Sequence, residues 1–256
     1  MRRTILPALL ILLLAVGLAR AEAPAQPPYY DLQGLIELKE GEELRLALPT
    51  TYYSNGVVYK GDTKTELTGA CALHCAAVVL SNRLGRTIGA QEVAAANNVS
   101  IKKARYWRAY VAWGKLEKAY GVYFSSFDMA QFGLRLKARG VKTAQRRQEK
   151  LSAVAAALDG YGQGTGLVIH FNSAKQLNGA GRRHAVVVMG YILKDGVVTD
   201  LIVNDSSGVA PLGAASRLAE SVLPHGMLGE KALKQTDPDT LPLLLMDYLV
   251  SYRWIE

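Results

Sequence analysis

The sequence predicts an α+β protein, with helices concentrated in the first half and an antiparallel sheet in the second. Three observations carry this. An apolar run, Ala70-Cys71-Ala72-Leu73-His74-Cys75-Ala76-Ala77-Val78-Val79-Leu80, reads as a buried helix. Helical patterns continue from Gly89 to Leu158, and from Gly166 onward short β-branched runs alternate with turn residues.

The first segment is a secretory signal. Arg2 and Arg3 precede an apolar stretch from Ile5 to Leu18, and Ala19-Arg20-Ala21 presents small residues where a signal peptidase cuts, so cleavage after Ala21 is expected. A retained anchor is the rival reading, but the stretch falls short of the roughly 20 residues that span a bilayer. No other segment is expected to span one, which predicts a periplasmic or secreted protein without stable membrane insertion after cleavage. Residues 22–30, rich in Ala, Pro and Gln, read as a flexible leader, and residues 31–256 as one folded domain with a short N-terminal strand addition.

Within that domain, short strands or hairpins are expected between Leu32 and Tyr59, with Asn55-Gly56 the best turn signal. The helix from Cys71 should end near Leu84-Gly85. Further helices are expected at Gly89–Ala96, Lys103–Tyr120, Phe127–Arg139 closed by Gly140, and Ser152–Leu158 closed by Asp159-Gly160. Strands follow at Gly166–Phe171, Ala185–Leu193, Val197–Asn204 and Leu244–Ile255. Lys194-Asp195-Gly196 makes a hairpin of the second and third, which sets His184 beside Asp205 at the open end.

Composition narrows the function classes. Half the residues are apolar, which excludes a disordered chain. Removing Arg2, Arg3 and Arg20 with the signal takes the net charge of +8 to +5, a mild excess. The basic clusters at 102–108 and 135–150 read as solvated helix faces, so no nucleic-acid partner is expected. No cofactor is expected either. The two cysteines, Cys71 and Cys75, lie four residues apart in one helix, where a disulfide would close a tiny, strained loop. A zinc site from them would lack Cys-x-x-Cys spacing, so no metal is expected.

A free thiol in an exported protein points to nucleophilic chemistry. Unpaired N–H groups and the helix dipole stabilise a thiolate in the first turn, which favours Cys71 over Cys75, one turn deeper. In such a site an imidazole takes the thiol proton and a third polar group orients the ring. His184 suits the base: it starts a strand, follows the Asn178-Gly179-Ala180-Gly181 segment and faces Asp205. The alternative for His184 is a strand-edge histidine satisfied by backbone. His74 reads as packed or solvated, His170 as a core histidine and His225 as a loop residue.

Thr68-Gly69-Ala70-Cys71 with its helix, then Gly166-Leu167-Val168-Ile169-His170-Phe171, then His184-Ala185-Val186-Val187-Val188-Met189-Gly190-Tyr191, then Val203-Asn204-Asp205, resemble papain-like cysteine peptidases of the bacteriocin-leader-processing type. The resemblance spans about Leu67 to Gly208. It implies a papain-like fold, a peptide or protein substrate, Cys71 as nucleophile, His184 as general base and acid, and Asp205 as the orienting carboxylate. Two departures stand out. Ala72-Leu73 follows the cysteine where that family has Gly-Pro, and Thr65 occupies the position of its oxyanion glutamine. The oxyanion candidates are therefore the Cys71 backbone N–H and the Thr65 hydroxyl. The expected activity is cysteine-dependent hydrolysis of a peptide or amide bond through a thioester. The alternatives are a peptidoglycan cross-bridge amidase on the same fold and a catalytically degenerate, peptide-binding relative.

Overall fold

A computed structural model describes residues 29–48, 50–52, 71–99, 111–172, 183–205, 215–221, 223–228 and 230–256. The expected signal and most of the expected leader, Asn55-Gly56, Thr65, Thr68-Gly69 and the Asn178–Gly181 segment lie outside these residues. The chain runs through short strands β1 (Tyr29–Asp31), β2 (Glu42–Leu46) and β3 (Thr50–Tyr52). Helices α1 (Cys71–Leu84), α2 (Ala90–Ala96) and α3 (Trp113–Tyr120) follow. Next come β4 (Phe124–Asp128), α4 (Met129–Ala138) and α5 (Thr143–Tyr161). The sheet-rich half holds β5 (Leu167–Asn172), β6 (Arg183–Lys194), β7 (Val197–Asn204) and β8 (Ala215–Arg217). Short helices α6 (Leu223–Leu228), α7 (Glu230–Lys234) and α8 (Leu241–Leu245) lead to β9 (Leu249–Ile255). Helices packed on an antiparallel sheet make this an α+β protein.

The seven-stranded sheet is organised by β6, whose 12 residues exceed the usual strand length. One edge of β6 pairs with β5 over Arg183–Val188 and with β2 over Gly190–Lys194, while its other edge pairs with β7. The order across the sheet is β4-β9-β5-β6-β7-β8, and every pairing is antiparallel. Asp195 and Gly196 both take positive φ, the geometry a tight hairpin between right-twisted strands requires.

Each face of the sheet is covered. Ala185, Val187 and Met189 point into a core shared with Leu73, Ala76, Ala77 and Leu80 of α1. Val186 and Val188 point the other way, into a core with Leu151, Val154 and Leu158 of α5. A register shift between Val188 and Gly190 then changes the parity, so Tyr191 joins the α5 side and Ile192 the α1 side. Residues 73–81 of α1 are all buried, which is why its apolar character runs round the whole helix rather than along one stripe.

Several expected boundaries move. The segment expected to be a helix from Phe127 begins with strand: β4 pairs with β9, and helix α4 starts only after Asp128, whose carboxylate accepts from the Gln131 N–H at 2.8 Å. The helix expected over Ser152–Leu158 is the longer α5, 19 residues that include the basic stretch and pass through Asp159-Gly160 to Tyr161. Of the helix expected from Lys103, the described part is helical only from Trp113; Val111 and Ala112 are not. The strand expected from Leu244 starts at Leu249, because Pro242 sits in the first turn of α8 and the Leu-Pro-Leu-Leu-Leu run is helical. Short apolar runs of this kind fit helix and strand equally by pattern. His225 falls within α6 rather than a loop. Within 216–239, Ser216 and Arg217 extend the sheet through β8, and Arg217 forms a largely buried ion pair with Glu42 of β2.

Candidate active site

Cys71 is the first residue of α1, so its half-buried sulfur lies at the end where backbone N–H groups lack helical partners. The first turn carries no acidic residue to oppose a negative charge there. The backbone N–H groups of Ala72 and Ala185 donate to the sulfur, and the His184 ring hydrogen-bonds it. Ala185 contributes because β6 passes the start of α1, and Ala185 itself lies in the core those elements share.

His184 is the second residue of β6, opposite Phe171 of β5. Its Nε2 lies 2.7 Å from Oδ1 of Asp205, where an N–H donates to the carboxylate. With Nε2 engaged, Nδ1 is the ring nitrogen that serves the thiol. Asp205 directly follows Asn204, the last residue of β7, which pairs with Val187. The hairpin register thus brings His184 and Asp205 together, as the turn at Asp195-Gly196 predicts. The imidazole is 16% exposed and the carboxyl 2%, so their interaction is little screened by water.

The charge balance favours a thiolate–imidazolium pair. Burial pushes the Cys71 thiol up, but the His184 hydrogen bond and charge, with the two backbone donors, outweigh it and hold the thiol below its ordinary value. Burial likewise disfavours the His184 cation. The hydrogen bonds to Asp205 and Cys71 and the charges of both overcome that, raising His184 to about 10. Cys75 differs in kind: fully buried, with the Cys71 and Asp205 charges nearby, it is pushed well above the usual thiol value and stays protonated. Both cysteines are free. Among the described residues, no group of three or more His, Cys, Asp or Glu side chains is placed to hold a metal ion.

The other histidines separate clearly. His170 on β5 is partly buried against Trp113 and Ser251, and burial, with the Arg253 charge, lowers it to about 4. His74 does more than the sequence suggests. One turn below Cys71 and fully buried, it donates from Nε2 to Oδ1 of Asn204 at 3.0 Å. Burial lowers its pKa, so it is a neutral donor. Its Nδ1 is buried without a hydrogen-bond partner among the described residues. This bond ties the helix bearing Cys71 to the residue preceding Asp205. The signal was present as two coincidences, His74 three residues after Cys71 and Asn204 one before Asp205, but only the contact gives them meaning.

His184 therefore meets both Cys71 and Asp205, while Thr65 lies outside the described residues. No protein-family model matches the chain, and no curated protein matches it in sequence.

Proposed function

We propose that this protein is an exported cysteine-dependent hydrolase of peptide or amide bonds, with a papain-like arrangement of helix and sheet. The observation that carries the reading is the Cys71–His184–Asp205 contact chain, with a lowered thiol, a raised imidazole and a buried carboxylate in line. The Cys71 thiolate attacks the carbonyl carbon, forming a C–S bond and placing the electron pair on oxygen. Collapse of that tetrahedral adduct breaks the C–N bond, and the His184 imidazolium gives its proton to the departing amine. A water then gives a proton to His184 and attacks the thioester. Collapse of this second adduct breaks the C–S bond and releases the acid product, and the sulfur departs as thiolate beside the His184 imidazolium that holds the water's proton. Asp205 keeps the ring oriented and stabilises its positive charge without itself taking the proton.

The oxyanion would be met by the Cys71 backbone N–H, with the Thr65 hydroxyl as the second candidate. The N-terminal signal sequence and the net positive charge support a substrate of the cell envelope, either a protein or a peptidoglycan cross-bridge. A peptide-binding protein without turnover is the competing reading, motivated by Thr65 and Ala72-Leu73. An activated thiol argues for the enzyme, since a binding cleft has no use for one.

The test uses the chain without its first 21 residues, incubated with a fluorogenic peptide library and, separately, with purified murein. Turnover of either substrate that disappears in Cys71→Ala, with melting temperature unchanged, supports the hydrolase. Release of muropeptide fragments selects the amidase. Turnover that persists in Cys71→Ala overturns the proposal, as does a thiol that no peptide aldehyde or vinyl sulfone labels.

A further inference from the structure

The face of the sheet opposite α1 carries a second concentration of chemistry. Between α4, the first half of α5 and the start of β9 lies an open cavity of about 340 Å³, near the lower end of the roughly 300–1,000 Å³ typical of small-molecule pockets. Four cations line it, Lys137, Arg146, Arg147 and Lys150, against one carboxylate, Asp247, leaving a local excess of three positive charges. Asp247 is already committed, since one of its oxygens accepts from Arg147 at 2.5 Å and 3.0 Å.

Lys150 is the telling residue. It is only 8% exposed, yet its ammonium meets carbonyl oxygens alone, Met246 at 2.9 Å and Leu249 at 3.2 Å, and no carboxylate reaches ion-pair distance among the described residues. Burial of this cation is costly and lowers its pKa, and the more distant Asp247 and Asp128 charges offset that only in part, so an added anion would be favoured beside it. Its tip also needs a gap in α4: a Cβ on Gly133 would lie 2.8 Å from Lys150 Cε and 3.3 Å from Nζ. Gly133 and the buried Lys150 ammonium both line the cavity. At its rim Leu134 is 56% exposed, an unusually open large apolar side chain beside Lys137.

We propose that this cavity binds a small amphiphilic oxyanion, its carboxylate or phosphate group held by Lys137, Arg147 and Lys150 and its apolar body lying on Leu134. The Arg147 guanidinium has donors beyond the Nε and Nη2 that meet Asp247, and with the two ammonium groups these suit a group with several acceptor oxygens. Arg146 adds charge from the wall while holding the Val141 carbonyl at 2.6 Å. This site is independent of the Cys71 chemistry, from which the sheet separates it.

The test is titration calorimetry of the mature chain with inorganic phosphate, hexyl phosphate, hexanoate and hexanol, and co-sedimentation with phosphatidylglycerol vesicles. Saturable binding of one hexyl phosphate or hexanoate per chain, tighter than inorganic phosphate and absent with hexanol, is expected. Lys137→Glu, on the surface, should weaken it about tenfold or more, and Leu134→Ser should remove the advantage of the hexyl group. Lys150→Met should abolish binding; if that variant does not fold, Lys137→Glu decides. Binding of hexyl phosphate without vesicles indicates a free ligand, and binding of both indicates a lipid headgroup. Binding to vesicles alone, no saturable binding, or binding unchanged in Lys137→Glu overturns the proposal.

Discussion

Replacing Asp205 by Asn tests the charge balance of the site with almost no change of shape. The amide oxygen can still accept from His184 Nε2 at the 2.7 Å now occupied by Oδ1, so the ring stays oriented while the negative charge is lost. A hydrogen bond to a charged partner contributes roughly 1.5–3 kcal/mol and a neutral one about 1 kcal/mol, so the imidazolium loses about 0.5–2 kcal/mol. At about 1.4 kcal/mol per tenfold change, the thiolate–imidazolium pair becomes about 2- to 30-fold less populated relative to the neutral pair. In wild type the pair exists from below the ordinary thiol value up to about 10, where His184 loses its proton. In Asp205→Asn the lower boundary should move up by about one pH unit. The assay is the rate of iodoacetamide alkylation of Cys71 against pH, followed by mass spectrometry. Cys75, fully buried and held protonated, should react far more slowly and serve as an internal control. A wild-type midpoint at the ordinary thiol value, or identical profiles for the two proteins, would refute the reasoning.

Three further outcomes are expected. His74→Leu removes the buried bond to Asn204 and should cost roughly 1–3 kcal/mol in urea unfolding; it should also raise the pH midpoint of Cys71 alkylation, and a stability loss with an unmoved midpoint would reduce His74 to a packing role. Asp200, 4% exposed on β7, is raised to about 7 chiefly by burial, although the Leu201 N–H and the Arg217 charge oppose the rise. Because its folded pKa lies above the unfolded value, its contribution is fully present below about 4 and lost as pH rises through about 7. Asp200→Asn should therefore match wild type near pH 4 and gain an advantage of about 2–4 kcal/mol by pH 8 in denaturant titrations; a constant difference across that range contradicts the assignment. Gly190→Ala would place a Cβ 2.5 Å from the Arg45 carbonyl and 2.7 Å from Leu46 Cδ2, where β2 crosses onto β6. A loss of about 1–3 kcal/mol by thermal melting is expected, and an unchanged melting temperature would mean that the β2 pairing is loose.

What the sequence by itself determined was whatever local pattern encodes. The apolar run after Cys71 marks α1 because a helix buried all round must be apolar all round. The two runs flanking Asp195-Gly196 mark a hairpin because side-chain alternation and turn chemistry are local, and counting along that hairpin already sets His184 beside Asp205. Tertiary structure decided the rest. Whether Phe124–Asp128 is strand or helix depends on β9, more than a hundred residues away, offering its edge. Whether Leu241–Leu245 is helix or strand depends on Pro242 and on what remains to pair. The contact of Cys71 with His184, the buried bond from His74 to Asn204, and the clustering of Lys150 with Lys137 under Gly133 join residues with no shared local signal. They form because the two faces of one sheet must each be covered, and covering them brings these side chains to fixed places.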